Sequence, residues 1–458
     1  MNTRGAAWVA LALAFVQVGC GPGVSPSPSP TPSASAMASP ALAADWPQYH
    51  RDSARTGLGP ATPPLSTPSV AWTAHLDGDV YASPLIVAGH VIAATENNTV
   101  YSLDLFSGSV VWKIHLGDPV DASSLPCGNI GPVTGITGTP AVDPATGRLY
   151  VVAFLRTRHH MLFTLRLVDG TVVSQRDVDP PGSDPAVHQE RGALALGSNY
   201  VYVPFGGLYG DCGAYHGYIQ AVPLAGGGVL SYKVPTAREA GFWSPQGATI
   251  TSDGSVYAVS GNGDSRGAFD YSNSVIQLSP DVQSVRSYFA PSNWASLNAS
   301  DTDLGSVGAT VLPSLGVVVA IGKQGVAYLL RAGALGGVGG QVASRQVCAG
   351  AFGGTAWSKT TVYVPCTDGL YALSVSASSI DIAWHAVHPT LGSPIIAAGA
   401  VWGIEPDSGI LYALDPATGA VLKTVALGSA QHFSTPAAIE GFVVAPAGKS
   451  VVAVSTGG

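Results

Sequence analysis

Residues 91–112 read VIAATENNTVYSLDLFSGSVVW, and this stretch decides the fold. Two runs rich in apolar residues, 91–95 and 100–104, are separated by a polar turn. A Ser107-Gly108 turn then leads into a third run, 110–116. Short apolar runs bounded by turn residues are typical of buried β-strands joined as hairpins. The stretch therefore predicts three consecutive antiparallel strands.

The same strand types recur along the whole chain. The first of the three recurs eight times, at 91–95, 149–154, 201–205, 256–260, 317–321, 362–366, 401–405 and 442–446. The second recurs as often, at 100–104, 162–167, 218–223, 275–279, 326–331, 370–374, 411–415 and 451–455. The third occurs seven times, at 110–116, 172–178, 229–234, 285–290, 341–347, 381–387 and 421–427. With an innermost strand before each set, this repeat predicts eight four-stranded blades.

The eighth unit runs out of chain before its last strand. Residues 70–76, VAWTAHL, match the 110–116 pattern VVWKIHL, and no earlier strand of their own unit precedes them. We therefore expect this N-terminal strand to complete the last blade, because an open ring would expose two sheet edges. The predicted fold is all-β: a single eight-bladed β-propeller over residues 70–458, closed by its N-terminal strand.

Composition limits the function classes. The chain has 458 residues, of which 46% are hydrophobic and only 10% charged, with 57 glycines and 34 prolines. Its net charge of −8 leaves no basic surface for nucleic acid, so we expect no nucleic-acid partner. After the N-terminus, no apolar run reaches the roughly 18 residues that a membrane-spanning helix needs.

The N-terminus predicts export. Residues 1–20 resemble a signal peptide with a lipobox, because Arg4 precedes the apolar stretch 6–18 and small residues lead to Cys20. Gln17 departs from the Leu, Val or Ile that a lipobox usually has there, so simple secretion is the alternative. We expect lipidation of Cys20 and an extracytoplasmic, membrane-anchored protein. A Pro/Ser-rich disordered linker then spans 21–44, and a segment leading into the ring spans 45–69.

Four cysteines remain after Cys20, and an even number in an exported chain favours disulfides. Three pairings are possible. The predicted strand order favours Cys127–Cys212, on one face of blades 2 and 3, and Cys348–Cys366, on that face of blade 6. The sequence alone does not prove the pairing. Such disulfides are explained by the stabilisation of long loops, whether or not the loops bind a ligand.

Three motifs resemble the pyrroloquinoline-quinone (PQQ) repeat. Residues 102–112, SLDLFSGSVVW, are similar to its tryptophan-docking motif, and 411–419, LYALDPATG, carry the same motif with Lys423 at the tryptophan position. Residues 45–57, DWPQYHRDSARTG, resemble the opening segment of this superfamily. The resemblance covers about residues 45–458. It implies a quinoprotein-like propeller, in a superfamily that holds quinoprotein dehydrogenases and the lipoprotein BamB.

The resemblance implies a ligand face at the mouth of the axis. In propellers, loops leading into the first strand and loops joining the second and third strands share one face. The polar residues in these loops are the candidate ligand face: His188, Glu190, Arg191, Asp211, His216, Asn262, Asp264, Asp301, Asp303, Lys323, Glu405 and Asp407.

A dehydrogenase of this family would need PQQ and calcium. Asn262, Asp301 and Asp303 are weak candidates for metal ligands, because calcium prefers oxygen ligands. Their convergence with a basic residue above a tryptophan would favour an enzyme. Against it, the chain lacks an adjacent Cys-Cys pair and a Cys-x-x-Cys-His haem motif. No Gly-x-Ser-x-Gly hydrolase motif occurs, and we assign His159-His160 to a blade hairpin rather than a zinc site.

The sequence thus predicts a monomeric, lipid-anchored envelope protein. We expect its axial face to bind a small molecule or an envelope protein as a scaffold, with no catalytic residues and no assured cofactor. The alternative is a PQQ- and calcium-dependent quinoprotein dehydrogenase.

Overall fold

The computed structural model describes residues 45–61 and 63–457. The predicted signal peptide, Cys20 and the 21–44 linker lie outside the described residues. Eight separate sheets form the eight predicted blades, and the first strands of neighbouring blades contact one another around most of the ring. Within each blade, the four main strands are called A to D from the axis outward. No helix of the described residues is long and apolar enough to cross a bilayer.

The first half of the chain carries blades 1 to 4. Strand D of blade 8 is β1 (Ser69–His75), and blade 1 is β2 (Leu85–Val87), β3 (His90–Ala94), β4 (Thr99–Asp104) and β5 (Val110–His115). A small hairpin of β6 (Val120–Asp121) and β7 (Val133–Thr134) precedes blade 2, which is β8 (Ala141–Asp143), β9 (Arg148–Phe154), β10 (His160–Arg166) and β11 (Val172–Asp177). Blade 3 is β12 (His188–Gln189), β13 (Ala195–Gly197), β14 (Tyr200–Gly207), β15 (Tyr218–Pro223) and β16 (Leu230–Lys233). Blade 4 is β17 (Thr249–Ile250), β18 (Val256–Val259), β19 (Val275–Leu278) and β20 (Val285–Ala290).

The second half carries blades 5 to 8. Blade 5 is β21 (Thr310–Leu312), β22 (Val317–Ala320), β23 (Val326–Arg331) and β25 (Ala343–Gln346), while β24 (Gly337–Val338) joins the edge of blade 4. Blade 6 is β26 (Ala356–Ser358), β27 (Thr361–Cys366), β28 (Gly369–Val375) and β29 (Ile380–Ala386). Blade 7 is β30 (Ile395–Ala397), β31 (Ala400–Glu405), β32 (Ile410–Leu414) and β33 (Val421–Ala426). Blade 8 is β34 (Ala437–Ile439), β35 (Phe442–Ala447) and β36 (Ser450–Ser455). The helices are α1 (Trp294–Ser300) and three 3-10 turns, Ala122–Ser124, Pro185–Val187 and Leu304–Ser306.

The ring closes as predicted. β1 pairs antiparallel with β36, which places Val70 opposite Val454 and Ala74 opposite Val451. Blade 8 therefore takes its outermost strand from the N-terminal side of the chain and its other three from the C-terminal end. This exchange gives blade 8 the four main strands that each of the other blades takes from one continuous part of the chain.

The tryptophan-docking motif joins each of three blades to the next one. Trp72, Trp112 and Trp384 lie on strand D of blades 8, 1 and 6, and each donates its indole N–H to a carbonyl in the following blade, at 2.7, 3.0 and 2.9 Å respectively. Each ring covers a glycine in that blade's C–D turn. At Gly108, φ is +69° and a Cβ would lie 2.6 Å from the Trp72 ring, so only glycine fits. Apolar clusters accordingly extend across blade boundaries.

Residues 45–59, which we call the plug, close one end of the axis. Their backbone bonds with first strands of five blades are Trp46 with Ile86, Pro47 with Val142, Ser53 with Ile250, Thr56 with Trp357, and Gly57 and Gly59 with Ile396. Gln48 reaches blade 3 by accepting the Leu196 N–H at 2.7 Å. Asp45 accepts the N–H of Ala88, which lies in the A–B turn of blade 1. The plug therefore seals the end of the ring where strands A and B turn.

Arg55 fixes the plug from inside. Its side chain is 1% exposed and donates to three backbone carbonyls, of Ala248 at 3.0 Å, Tyr49 at 3.0 Å and Leu194 at 2.9 Å. Burial, together with the Arg55 charge, lowers the pKa of neighbouring His50 to about 3, so His50 is neutral. One buried cation thus ties the plug to blades 3 and 4.

We expect Arg55→Met to destabilise the protein by about 3 kcal/mol or more, because three buried carbonyls would lose their donor. Urea unfolding measures the change. The matched control is Arg166→Met, which removes an exposed guanidinium paired with Asp169 and should shift stability by no more than about 1 kcal/mol. Equal stability of the two variants would show that the plug does not depend on Arg55.

Candidate functional site

The open mouth lies at the other end of the axis from the plug. A cavity of about 240 Å³ occupies it. Its walls come from segments that lead into strand A of five blades, including Ser83, Thr139, Pro245 and Thr435. Tyr49 of the plug also lines it, so the plug forms its floor. Because strands A converge at the axis, residues far apart in sequence meet there.

Two disulfides hold loops at this mouth. Cys127, before blade 2, is bonded to Cys212 in the B–C loop of blade 3, with Cα atoms 6.1 Å apart. Cys348, before blade 6, is bonded to Cys366 at the end of β27, with Cα atoms 6.3 Å apart. These are the pairs that the strand order favours.

Lys323 forms ion pairs with two of the candidate carboxylates, Asp301 and Asp303. Its Nζ lies 2.7 Å from Asp301 Oδ1 and 2.7 Å from Asp303 Oδ1. The other oxygen of Asp303 accepts the indole N–H of Trp243 at 3.0 Å, and Lys323 Nζ lies 5.2 Å from the centre of the Trp243 ring. Two acids and a base therefore meet beside a tryptophan, Trp243, but the contacts of this cluster do not include Asn262, the third residue of the expected convergence.

Burial and charge act in opposite directions on this cluster. Burial raises the pKa of Asp303, which is 0% exposed, and the adjacent Lys323 offsets only part of that rise. Burial lowers the pKa of Lys323, but the two carboxylates more than compensate and leave it above its ordinary value. Lys323 therefore carries a permanent positive charge, and its removal would leave the buried Asp303 carboxylate without a counter-ion.

An aromatic wall continues from Trp243 across the mouth. The ring centres of Phe352, before blade 6, and Phe433, before blade 8, each lie 6.4 Å from the centre of Trp243. A second cavity, of about 410 Å³, is lined by both phenylalanines and by Asp407 and His432. The two cavities share His432 and Phe433, so the mouth presents one continuous aromatic and polar surface.

Two buried glutamates lie behind the wall of the smaller cavity. Glu96, in the B–C loop of blade 1, accepts the Gly135 N–H at 2.7 Å, and burial raises its pKa to about 7. Glu190 packs against Gly138, and burial raises its pKa well above the ordinary value. Glu190 was a sequence candidate, whereas Glu96 was not. No local motif marks Glu96, because its environment comes from the loop before blade 2.

Other predicted residues do not join the cluster at Trp243. His188 is buried, donates from Nδ1 to the Asp184 carbonyl at 2.8 Å, and has its pKa lowered to about 4 by burial. Asp211 accepts the Tyr215 hydroxyl at 2.5 Å within its own loop. Glu405 accepts hydrogen bonds from its own turn, including Ser408 at 2.5 Å. These three residues hold loops in place.

The remaining candidates are dispersed along the loops. His216 is half-buried beside Tyr218, Asp264 is exposed, and Asn262 accepts the Ala240 N–H through its backbone carbonyl at 2.7 Å. Trp294, the tryptophan nearest these acids in sequence, packs instead against Phe269, with ring centres 5.5 Å apart. Proximity in sequence therefore did not identify the tryptophan at the mouth.

The three candidate calcium ligands do not form a calcium cage. Asp303 uses one oxygen for Lys323 and the other for Trp243, and Asp301 also pairs with Lys323. Calcium takes six to eight oxygen ligands, and a lysine ammonium already neutralises the acids here. Asp301 and Asp303, two of the three candidates, therefore do not fit the metal that a quinoprotein would carry.

A family model described as outer membrane protein assembly factor BamB, built from the PQQ repeat, matches residues 70–307, which is more than half of the chain. The chain belongs to this PQQ-repeat propeller family. A comparison with proteins of curated function found no match.

Solved structures show the same fold at low sequence identity. Quinohemoprotein alcohol dehydrogenase ADHIIG from Pseudomonas putida HK5 aligns with TM-score 0.73 and 14% identity, covering 91% of this chain and 80% of that one. The corresponding Comamonas testosteroni enzyme gives TM-score 0.68 and 16% identity, covering 92% and 82%. BamB from Moraxella catarrhalis gives TM-score 0.57 and 13% identity, covering 85% and 98%. At such identities the likeness of this PQQ-repeat protein to them concerns the fold alone.

We expect Lys323→Met to cost about 3 kcal/mol at neutral pH, because it leaves the buried Asp303 carboxylate unpaired. Adding Asp303→Asn should restore most of that loss. The deficit of the single variant should also shrink as pH falls, because an unpaired acid with a raised pKa takes up a proton. Urea unfolding of both variants at several pH values tests this. A cost that is the same at all pH values, without rescue by Asp303→Asn, would contradict the charge argument.

Proposed function

We propose that this chain is an extracytoplasmic PQQ-repeat propeller, anchored through Cys20, whose axial mouth binds a small molecule or an envelope protein. The observation that carries the proposal is the asymmetry of the ring. One end is sealed by residues 45–59, while the other combines two cavities with an aromatic wall and a buried charge cluster. Ligand sites are typically concave, largely apolar and fitted with a few placed polar groups.

The disulfide-bonded loops around the mouth support the proposal that it binds a ligand. Both disulfides tie loops that surround it, and a binding surface needs loops held in fixed positions on a rigid scaffold. Disulfides persist in oxidising compartments, which agrees with an exported protein. The lipid anchor rests on the Val18-Gly19-Cys20 sequence.

Site-specific photo-crosslinking tests this function. We expect p-benzoylphenylalanine in place of His432, an exposed residue of the mouth, to capture a discrete partner or ligand in cells. The same group in place of Val168, which is 74% exposed in a C–D turn, should capture none. The mass of the adduct separates a protein from a small molecule. Identical products from both positions, or none from His432, would contradict axial binding.

One observation favours a second function, a PQQ-dependent dehydrogenase. Asp301, Asp303 and Lys323 converge beside Trp243, which is part of the arrangement that the enzyme hypothesis required and lacks its Asn262. The oxygens of Asp303 are nevertheless committed to Lys323 and Trp243. We therefore place this function second.

Reconstitution separates the two functions. After incubation with PQQ and calcium, we expect neither stoichiometric quinone absorbance nor dye-linked oxidation of primary alcohols. Asp303→Asn and the exposed control Asp264→Asn should behave like the unchanged protein. Quinone binding at one per chain, with dye reduction that is lost in Asp303→Asn and kept in Asp264→Asn, would establish the dehydrogenase instead.

A further inference from the structure

The smaller cavity of the mouth is built for a compact ligand. Its volume of about 240 Å³ is below the roughly 300–1,000 Å³ of pockets that hold drug-sized molecules. Tyr49, Tyr81 and Phe433 supply aromatic rings to its lining, and Thr137 and Thr139 supply hydroxyl groups. The cavity therefore suits a ring-sized ligand with polar substituents.

Arg191 gives this cavity its charge. It lines the cavity, and the described part of the chain adds no aspartate or glutamate to the lining. Its guanidinium donates to the Gln189 side-chain oxygen at 3.2 and 2.5 Å. Among residues 45–61 and 63–457, no carboxylate lies within ion-pair distance of Arg191.

A partly buried guanidinium without a counter-ion is costly, and it pairs best with a planar carboxylate or a phosphate. The acids whose charges act on Arg191 are Glu96 and Asp211, and in the described part of the chain neither lies within ion-pair distance of it. Asp211 accepts the Tyr215 hydroxyl instead. Asp79 accepts a hydrogen bond from Gln431 at 3.0 Å. Glu96 and Glu190 lie behind the wall, and burial raises the pKa of each, which favours their neutral forms below neutral pH.

We propose that the axial cavity binds a small anion, a carboxylate or phosphate carried on a ring-sized group, with Arg191 as its counter-ion. This inference rests on the proposed function and specifies its ligand class. The aromatic rings cover the body of the ligand, and the threonine hydroxyl groups donate to the anion or to its substituents.

Binding of a carboxylate, whose own charge is constant in this range, should weaken as pH rises through about 7. The groups that face Glu96 are Asp79, Tyr81, Glu190 and Arg191. Glu96 is largely protonated below this range and gains a negative charge above it, which opposes an anion beside Arg191. By linkage, a bound anion raises the pKa of Glu96 in turn. Glu96→Gln should remove this pH dependence.

Three probes with one ring test the proposal: benzoate, phenyl phosphate and benzamide. Calorimetric titration of the full chain at about pH 6 should show either anion binding about tenfold or more tightly than the neutral amide. The two anions separate a carboxylate ligand from a phosphate ligand. Arg191→Gln should abolish the difference between the anions and benzamide, and Arg191→Lys should keep part of it. The control is Arg156→Gln, an exposed arginine paired with Asp118 in the B–C loop of blade 2, which should change nothing.

Three results of these titrations would overturn the proposal, and each does so in a different way. Equal affinity for benzoate, phenyl phosphate and benzamide, lost in Phe433→Ala, overturns the anion proposal and leaves axial binding intact. Anion selectivity that survives in both Arg191 variants overturns the role of Arg191. Failure of all three probes to bind also overturns the proposal, while the proposed function is then decided by crosslinking at His432. Thermal unfolding of the Arg191 variants verifies that they are folded. If Arg191→Gln does not fold, the comparison of anions with benzamide is made on Arg191→Lys alone.

Discussion

The pairing of β1 with β36 is the constraint on which the rest of the molecule depends. Six residue pairs join the N-terminal strand to the C-terminal strand, so that blade 8 has four strands and the ring has no open junction. Without β1, the edge of β36 would be left unpaired, and the chain segment that runs from β1 into blade 1 would no longer hold blade 8 beside blade 1. Closure also fixes the diameter of the axis, and every group at the mouth is positioned across that diameter.

Closure and the plug work together. The plug bonds to first strands on opposite sides of the ring, including Ile86 in blade 1 and Trp357 in blade 6, which it could reach only if the ring is closed. Arg55 then fills the centre with a buried charge satisfied by three carbonyls. The result is a channel with a floor, which leaves the proposed binding surface at one mouth.

The residues around the mouth fall into two groups, those that hold the loops in place and those that face the axis. The disulfides and buried side chains such as His188 hold the loops, whereas Trp243, Phe433 and the charged groups face the axis. Lys323 and Arg191 differ in a useful way. Lys323 is neutralised by two aspartates, while Arg191 has no carboxylate at ion-pair distance among the described residues. Arg191 donates to the neutral Gln189 side chain instead, which is why we propose that this arginine, and not Lys323, selects ligands by charge.

The sequence alone determined the blade number, the ring closure and the preferred disulfide pairs. These follow from strand and turn patterns that are local, such as 91–112 and its repeats, and from the order of strands within a blade. The residues at the mouth could not be derived in this way. Trp243 rather than Trp294 meets Asp303, and Glu96 lies beside the loop before blade 2, because contacts at the axis join residues tens to hundreds of positions apart. Their burial, pKa and partners are set by how eight separate blades converge, and only the tertiary structure decided that.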